Sequence, residues 1–259
     1  MEPESLPLFD HGQLRKRWRY VAVFAEQLML CAARAEIGPA RQSFWVLWDR
    51  ERRRQWDHTA LRPGSSEVRL EGPRLTIDAD GLHADLELGE AAAIEATCPS
   101  GASRAWTRKR AGLPVAGTVE VPGRRWQVSG RGIDDESAGN HARQTSWHWS
   151  AGVGSGADGR ELAWNLVAGI NDPETGSERA IWIDGVPHEP PPSRFRGLDA
   201  VEVAGETLDF AAESDHSRDE DFLLVRSRYR HRFGSFSGRL GGIELAAGLG
   251  VLEQHEALW

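Results

Sequence analysis

Turn residues recur so often along this chain, between runs so short, that long helices have little room. Asp80–Gly81 interrupts LTIDADGLHADLEL, and alternation resumes on both sides. Pro122–Gly123 separates GTVEV from RRWQVSG, Asp184–Gly185 follows RAIWI, and Ala204–Gly205 separates AVEV from ETLDF. Glycine in such a pair supplies the left-handed backbone of a tight hairpin turn, whose twist matches the flanking strands. Short alternating runs joined this way predict an all-β, mostly antiparallel protein.

One segment pulls the other way. VAVFAEQLMLCAARAEIG is built from good helix formers, and local propensity alone predicts a helix there. The aromatic and β-branched run QSFWVLWDR that follows Gly38–Pro39 favours strands.

The chain has 259 residues, enough for one large domain or two of about 120. The stretch from Gly112 to Arg124 is the expected boundary, giving halves of 1–115 and 116–259. HEPPPSR (188–194) reads as a Pro-rich connector and SDHSRDED (214–221) as a strongly polar loop, neither of them an interdomain linker. A net charge of -8 gives no general attraction for nucleic acid. The basic clusters Arg15–Arg19, Arg50–Arg54 and Arg104–Arg110 read as solvated faces or barrel rims. Cys31 and Cys98 are far apart and form no CxxC pair, which argues against a zinc ribbon or disulfide scaffold. Two buried thiols fit a reducing compartment. The opening MEPESLPLFDHG is acidic where a signal peptide is basic, and Tyr20–Ala35 is too short and polar to cross a bilayer. The expectation is a cytoplasmic protein with no transmembrane association.

The richest stretch for chemistry is GRGIDDESAGNHARQTSWHWSAG, from Gly130 to Gly152. Counting by twos places His141, Arg143, Thr145, Trp147 and Trp149 on one strand face. Trp147 and Trp149 would wall an apolar cavity or fill a core. Asp135 or Glu136 would serve as proton donor if burial raised its pKa, with His141 relaying the proton. Exposed turn carboxylates and a hydrogen-bonded histidine are the structural alternative. In LLVRSRYRHRF, Arg226, Arg228, Arg230 and Arg232 share one face, and Val225, Ser227, Tyr229, His231 and Phe233 the other. Facing solvent, the arginines need no partner; facing inward, Arg226, Arg228 and Arg230 would bind the acidic head of an amphipathic ligand. In VLEQHEALW, Glu253, His255 and Trp259 share a parity, so Glu253 and His255 join Trp147, Trp149 and those arginines as candidate ligand-binding residues.

GVGSGADG lacks the Lys-Ser/Thr of a phosphate loop. There is no HExxH and no GxSxG elbow, so neither a metal nor a cofactor is expected. GRGIDDESAGNHARQTSWHW and the terminal GLGVLEQHEALW both open Gly-x-Gly-β-branched and then reach acid, histidine and tryptophan. That pattern suggests two related halves or corresponding corners.

The segments RKRWRYVAVFAEQLMLCAARAEIGPARQSFWVLWDR, GIDDESAGNHARQTSWHWSAGVG, AWNLVAGINDP, LLVRSRYRHRFGSFSG and GLGVLEQHEALW together resemble the bacterial domain of unknown function 2804 family. More distantly, GRGIDDESAGN resembles the glycine-rich turn of the tandem lipocalin-like group that includes carotenoid 1,2-hydratases and AttH proteins. The aspartate of that motif falls on Asp135, and its final glycine and asparagine on Gly139 and Asn140. Its histidine falls on Glu136 and its tryptophan on Ala138, a departure from the hydratase pattern. The resemblance implies two lipocalin-like β-barrel halves, with Tyr20–Ala35 as β-structure. The functions this suggests are binding of an apolar or amphipathic small molecule in a barrel cavity, cofactor-independent lyase, hydratase or isomerase chemistry on a hydrophobic substrate, or a structural module whose β edges support a homo-oligomer.

Overall fold

A computed structural model describes residues 6–61, 67–79, 81–222 and 225–258. Among these the protein is all-β, with no helix. A short pair, β1 (Phe9–Asp10) and β2 (Gln13–Leu14), precedes two ten-stranded sheets. The first contains β3 (Lys16–Phe24), β4 (Leu28–Ile37), β5 (Ala40–Asp49), β6 (Arg54–Ala60), β7 (Val68–Glu71), β8 (Arg74–Ala79), β9 (Leu82–Leu88), β10 (Ala93–Ser100), β11 (Ser103–Val121) and β12 (Arg124–Gly139). The second contains β13 (Gln144–Gly156), β14 (Glu161–Ala168), β15 (Ala180–Ile183), β16 (Val186–His188), β17 (Arg194–Arg196), β18 (Ala200–Val203), β19 (Glu206–Ala212), β20 (His216–Phe222), β21 (Val225–Leu240) and β22 (Ile243–Leu258).

The two sheets repeat one topology. The first runs β6-β5-β4-β3-β12-β11-β9-β8-β7, with β10 also on β11; the second runs β16-β15-β14-β13-β22-β21-β19-β18-β17, with β20 also on β21. Every strand of the first sheet thus has a counterpart ten places later, and all pairings are antiparallel. The two Gly-x-Gly stretches occupy equivalent strands, β12 and β22. A Cβ on Gly132 would lie 2.5 Å from the Ala22 carbonyl oxygen, and one on Gly250 2.5 Å from that of Ala151. Each glycine therefore lets its strand press against the neighbouring backbone.

The hairpin punctuation holds. Val121 pairs with Arg124, Ile183 with Val186 and Val203 with Glu206. Asp184–Gly185 and Ala204–Gly205 take positive φ at both residues, the geometry of a right-twisted hairpin. Ala79 pairs with Leu82 around the expected Asp80–Gly81 turn, although Asp80 itself lies outside the described residues. The expected boundary does not hold: residues 115 and 116 sit within β11, where Gly112 forms a bulge, and the sheets change over at residues 140–143. The glycine and proline there belong to a bulge and a hairpin, which use the same residue types as a linker.

The helix-like segment is the β3–β4 hairpin, turning through residues 25–27. Both of its faces are buried. Val21, Val23, Leu28 and Leu30 pack inside the first sheet, while Tyr20, Ala22, Phe24, Met29 and Cys31 pack against the second. A strand buried on both sides loses its polar alternation and reads from sequence as a continuous apolar run. The core accordingly has three layers: one inside the first curled sheet, one inside the second built around Trp164 and Phe236, and one between the two.

Candidate functional site

The layer between the sheets opens at one end into a cavity of about 720 Å³. The interiors of the curled sheets are filled by side chains, so the cavity lies between the halves and not, as expected, inside a barrel. The reason lies in the pleat. Successive residues of β3, β12, β13 and β22 face alternately into their own sheet and toward the partner sheet.

On β12, Asp135 faces the cavity while Asp134 and Glu136 face away. Asp134 accepts from Arg19 Nε at 2.9 Å and pairs with Arg110. Glu136 lies 3.9 Å from Arg19 and is absent from the cavity wall, so the backbone register removes it as a proton donor to that space. Asp135 is buried and accepts from Lys109 Nζ at 2.5 Å; Glu178 Oε2 lies 3.3 Å from the same ammonium. Asn171 donates to Glu178 at 2.9 Å. Burial raises the Asp135 carboxyl above the usual range, with Lys109 pulling it back. Two carboxyls thus share one buried cation.

On β22, Glu253 occupies the place that Asp135 holds on β12. Asp135 is flanked across the sheet by Tyr20 and Lys109, and Glu253 by Trp149 and His231. Glu253 is 6% exposed and lines the cavity. Trp147 Nε1 donates to one of its oxygens at 2.9 Å and Tyr229 OH to the other at 2.8 Å. Burial pushes its carboxyl up to about 7, outweighing those two bonds. The surrounding walls are aromatic. Trp147 lies tilted against His255 with ring centres 4.3 Å apart, Tyr229 meets His255 edge-on at 5.0 Å, and Tyr20 meets Trp149 edge-on at 5.3 Å. Trp149 Nε1 is bonded to Asn165 at 2.8 Å, which fixes the ring.

His255 lies 2.9 Å from the Ser227 hydroxyl, and burial lowers its pKa to about 4. Its orientation comes from Ser227 and the aromatic rings, while Glu253 is held by Trp147 and Tyr229. His141 lies in the connector between the sheets, stacked on Trp18 at 4.9 Å. It lines the cavity as a neutral ring, its pKa lowered to about 3 by burial and then by Lys16 and Lys109.

The arginines of β21 do not meet a ligand here. Arg226 pairs with Asp221 at 3.3 Å, Arg228 with Glu256 at 3.8 Å and Arg230 with Asp219 at 2.6 Å, all on the outer face. None of the three lines the cavity, while Ser227 and Tyr229, on the opposite parity, do. Each guanidinium finds a carboxylate near solvent, avoiding the cost of burying four like charges. Sequence reading passed over Tyr20, Lys109 and Glu178. Lys109 was hidden in a basic run, yet it shares parity with Ala105, Thr107 and Ala111, all buried. A lysine on an otherwise small, buried face was the available signal. Among the described residues no His/Cys/Asp/Glu group has the arrangement to hold a metal ion.

This architecture places the chain in a class of two-sheet β proteins already seen in crystals. A structure of an AttH-like protein from Nitrosomonas europaea superposes with a TM-score of 0.66 over 98% of each chain, at 13% identity. Kievitone hydratase from Nectria haematococca gives 0.61 at 12% identity, over 99% of this chain and 91% of the other. CghA with Sch210972 gives 0.51 at 8% identity, over 94% and 88%. At these identities the likeness is one of fold. No curated protein matches by sequence. The family model described as domain of unknown function (DUF2804) matches residues 60–190, half of the chain, and the protein belongs to that family.

Proposed function

We propose that the protein is a cofactor-independent enzyme that adds, removes or relocates a proton on an apolar or amphipathic small molecule held between its sheets, as a hydratase, lyase or isomerase. One observation carries this reading. Glu253 is a buried carboxyl raised to about 7, facing a cavity large enough for a substrate. A group that titrates near neutrality both gives and takes a proton at little cost. The fold shared with kievitone hydratase is in keeping with this.

In the hydration direction Glu253 gives its proton to an unsaturated carbon. Water adds to the adjacent carbon, and the proton it releases returns to a carboxylate. Asp135, on the opposite sheet, is placed to take that proton or to hold the water, with Lys109 keeping it ionised beforehand. Dehydration is the reverse, and loss of a different carbon-bound proton gives isomerisation. Trp147 and Trp149 supply contact area at roughly 25 cal/mol per Å² of apolar surface removed from water. We place the protein in the cytoplasm, a reading supported by the free buried thiols of Cys31 and Cys98. No helix among the described residues is long and apolar enough to cross a membrane.

The test starts with native mass spectrometry of protein purified from its host and extraction of whatever it carries. That molecule is then incubated with enzyme in deuterated water. Wild type should place deuterium on carbon, and Glu253→Gln should lose that activity while still binding. Equal incorporation by wild type, Glu253→Gln and Asp135→Asn would overturn the assignment. A binding protein without chemistry would retain its ligand unlabelled.

A further inference from the structure

We infer that the chamber beside Glu253 is a site for an organic cation, a protonated amine or quaternary ammonium carried on an apolar body. The inference rests on the reading of the cavity as a ligand chamber, not on Glu253 transferring a proton. Its starting point is a missing counter-ion. Glu253 is buried, and both its oxygens accept from neutral donors, Trp147 and Tyr229. No lysine or arginine among the described residues forms an ion pair with it. Lys109 is taken up by Asp135 and Glu178. Lys16, the other buried cation on the wall, donates to the carbonyls of His141 and Ala142. Nearer the mouth, Arg218 pairs with Glu220 and Arg41 with Glu36, while Arg143 lines the opening as an exposed cation that forms no ion pair with Glu253.

A buried carboxylate in this position either keeps its proton or acquires a cation. The walls favour the cation. Trp147, Trp149, Tyr20, Tyr229 and Phe44 all line the chamber, and aromatic ring faces attract ammonium groups. An anionic head would meet Glu253 and the ring faces and gain nothing from the β21 arginines, which point outward. The sign of ligand charge that those arginines suggested in sequence is therefore reversed. A field that holds an ammonium also favours positive charge that a substrate gains on protonation.

Three probes of equal length separate the possibilities: N,N-dimethyloctylamine, 1-octanol and octanoate. Each is titrated into the full chain by calorimetry at low ionic strength. At pH 8 the amine should bind about tenfold more tightly than the alcohol, and octanoate most weakly. From pH 6 to pH 8 the amine's affinity should rise about tenfold as Glu253 ionises, while the amine stays protonated. Two other groups on the wall titrate at the edges of that window, Asp135 raised by burial to about 6 and Lys16 lowered by burial to about 8, so the Glu253 share is the pH dependence that Glu253→Gln removes. His231 and His255 are depressed to about 3 and 4 and stay neutral. Tyr20 and Tyr229 are pushed upward, Cys31 to about 12. Lys109 pulls Asp135 part of the way back down, and His141 and His216 are lowered.

Glu253→Gln should abolish both the preference and its pH dependence but leave 1-octanol binding in place. If that variant fails to fold, the order of amine, alcohol and octanoate at pH 8 in the wild type decides. Equal binding of amine and alcohol, tightest binding of octanoate, or a pH-independent amine affinity would overturn the cation site and leave the chamber standing. Failure of all three probes to bind would overturn both.

Discussion

Asp135 and Glu253 occupy equivalent strands of two sheets with the same topology and face one cavity, yet their surroundings differ in kind. Asp135 sits beside a lysine that it shares with Glu178. Glu253 sits beside a tryptophan and a tyrosine that carry no charge. One framework thus makes a charged, tightly paired station in the first half and a nearly neutral, titratable one in the second. The difference comes from the flanking strands: β11 supplies Lys109 where β21 supplies His231, and β3 supplies Tyr20 where β13 supplies Trp149. Placement in the fold sets where each carboxyl points, and its neighbours set what it does with a proton.

The largest effect should come from breaking the charged station. Lys109→Met leaves two buried carboxyls without their cation and should cost about 3–5 kcal/mol in urea unfolding. Glu253→Gln, which leaves no charge behind, should cost less than about 1.5 kcal/mol when measured at acidic pH, where wild-type Glu253 is still protonated. Equal costs would erase the distinction between the two stations.

A somewhat smaller effect is expected from pH. Glu253 titrates at about 7 in the folded protein against 4.5 for the ordinary group. Between those values the folded state binds more protons, so this group's contribution falls as pH rises through the window. By pH 8 the loss approaches about 3 kcal/mol relative to pH 4. Unfolding curves of wild type and Glu253→Gln should therefore converge at low pH and separate above neutrality, with the variant the more stable. Parallel curves would show that Glu253 has no raised pKa.

The smallest effect belongs to the outer face. Arg228→Ala should leave stability within about 0.5 kcal/mol. Binding of 1-octanol should also be unchanged, because Arg228 meets Glu256 outside the cavity. A marked loss of binding would return the arginines to the site.

These residues also mark how far sequence reading reached. The parity of Trp147, Trp149, Glu253 and His255 was legible, and all four line the cavity. Parity divides a strand into two faces without saying which is inside, and β21 shows the consequence: Tyr229 points in and its arginine neighbours point out. Asp135 and Glu136 looked alike as adjacent acids until pairing with β3 and β11 turned one inward. The β3–β4 hairpin was masked for a related reason, since burial on both faces removed its alternation. No local pattern could place the cavity between the halves, because that depends on how two similar sheets stack.

Under the proposed function, Glu253 exchanges a proton near neutrality. Its carboxyl titration can be followed directly by carbon-13 NMR of glutamate-labelled protein, with Glu253→Gln identifying the signal. Glu253 should titrate with a midpoint near 7. A midpoint in the ordinary carboxylate range, near 4.5, would contradict it.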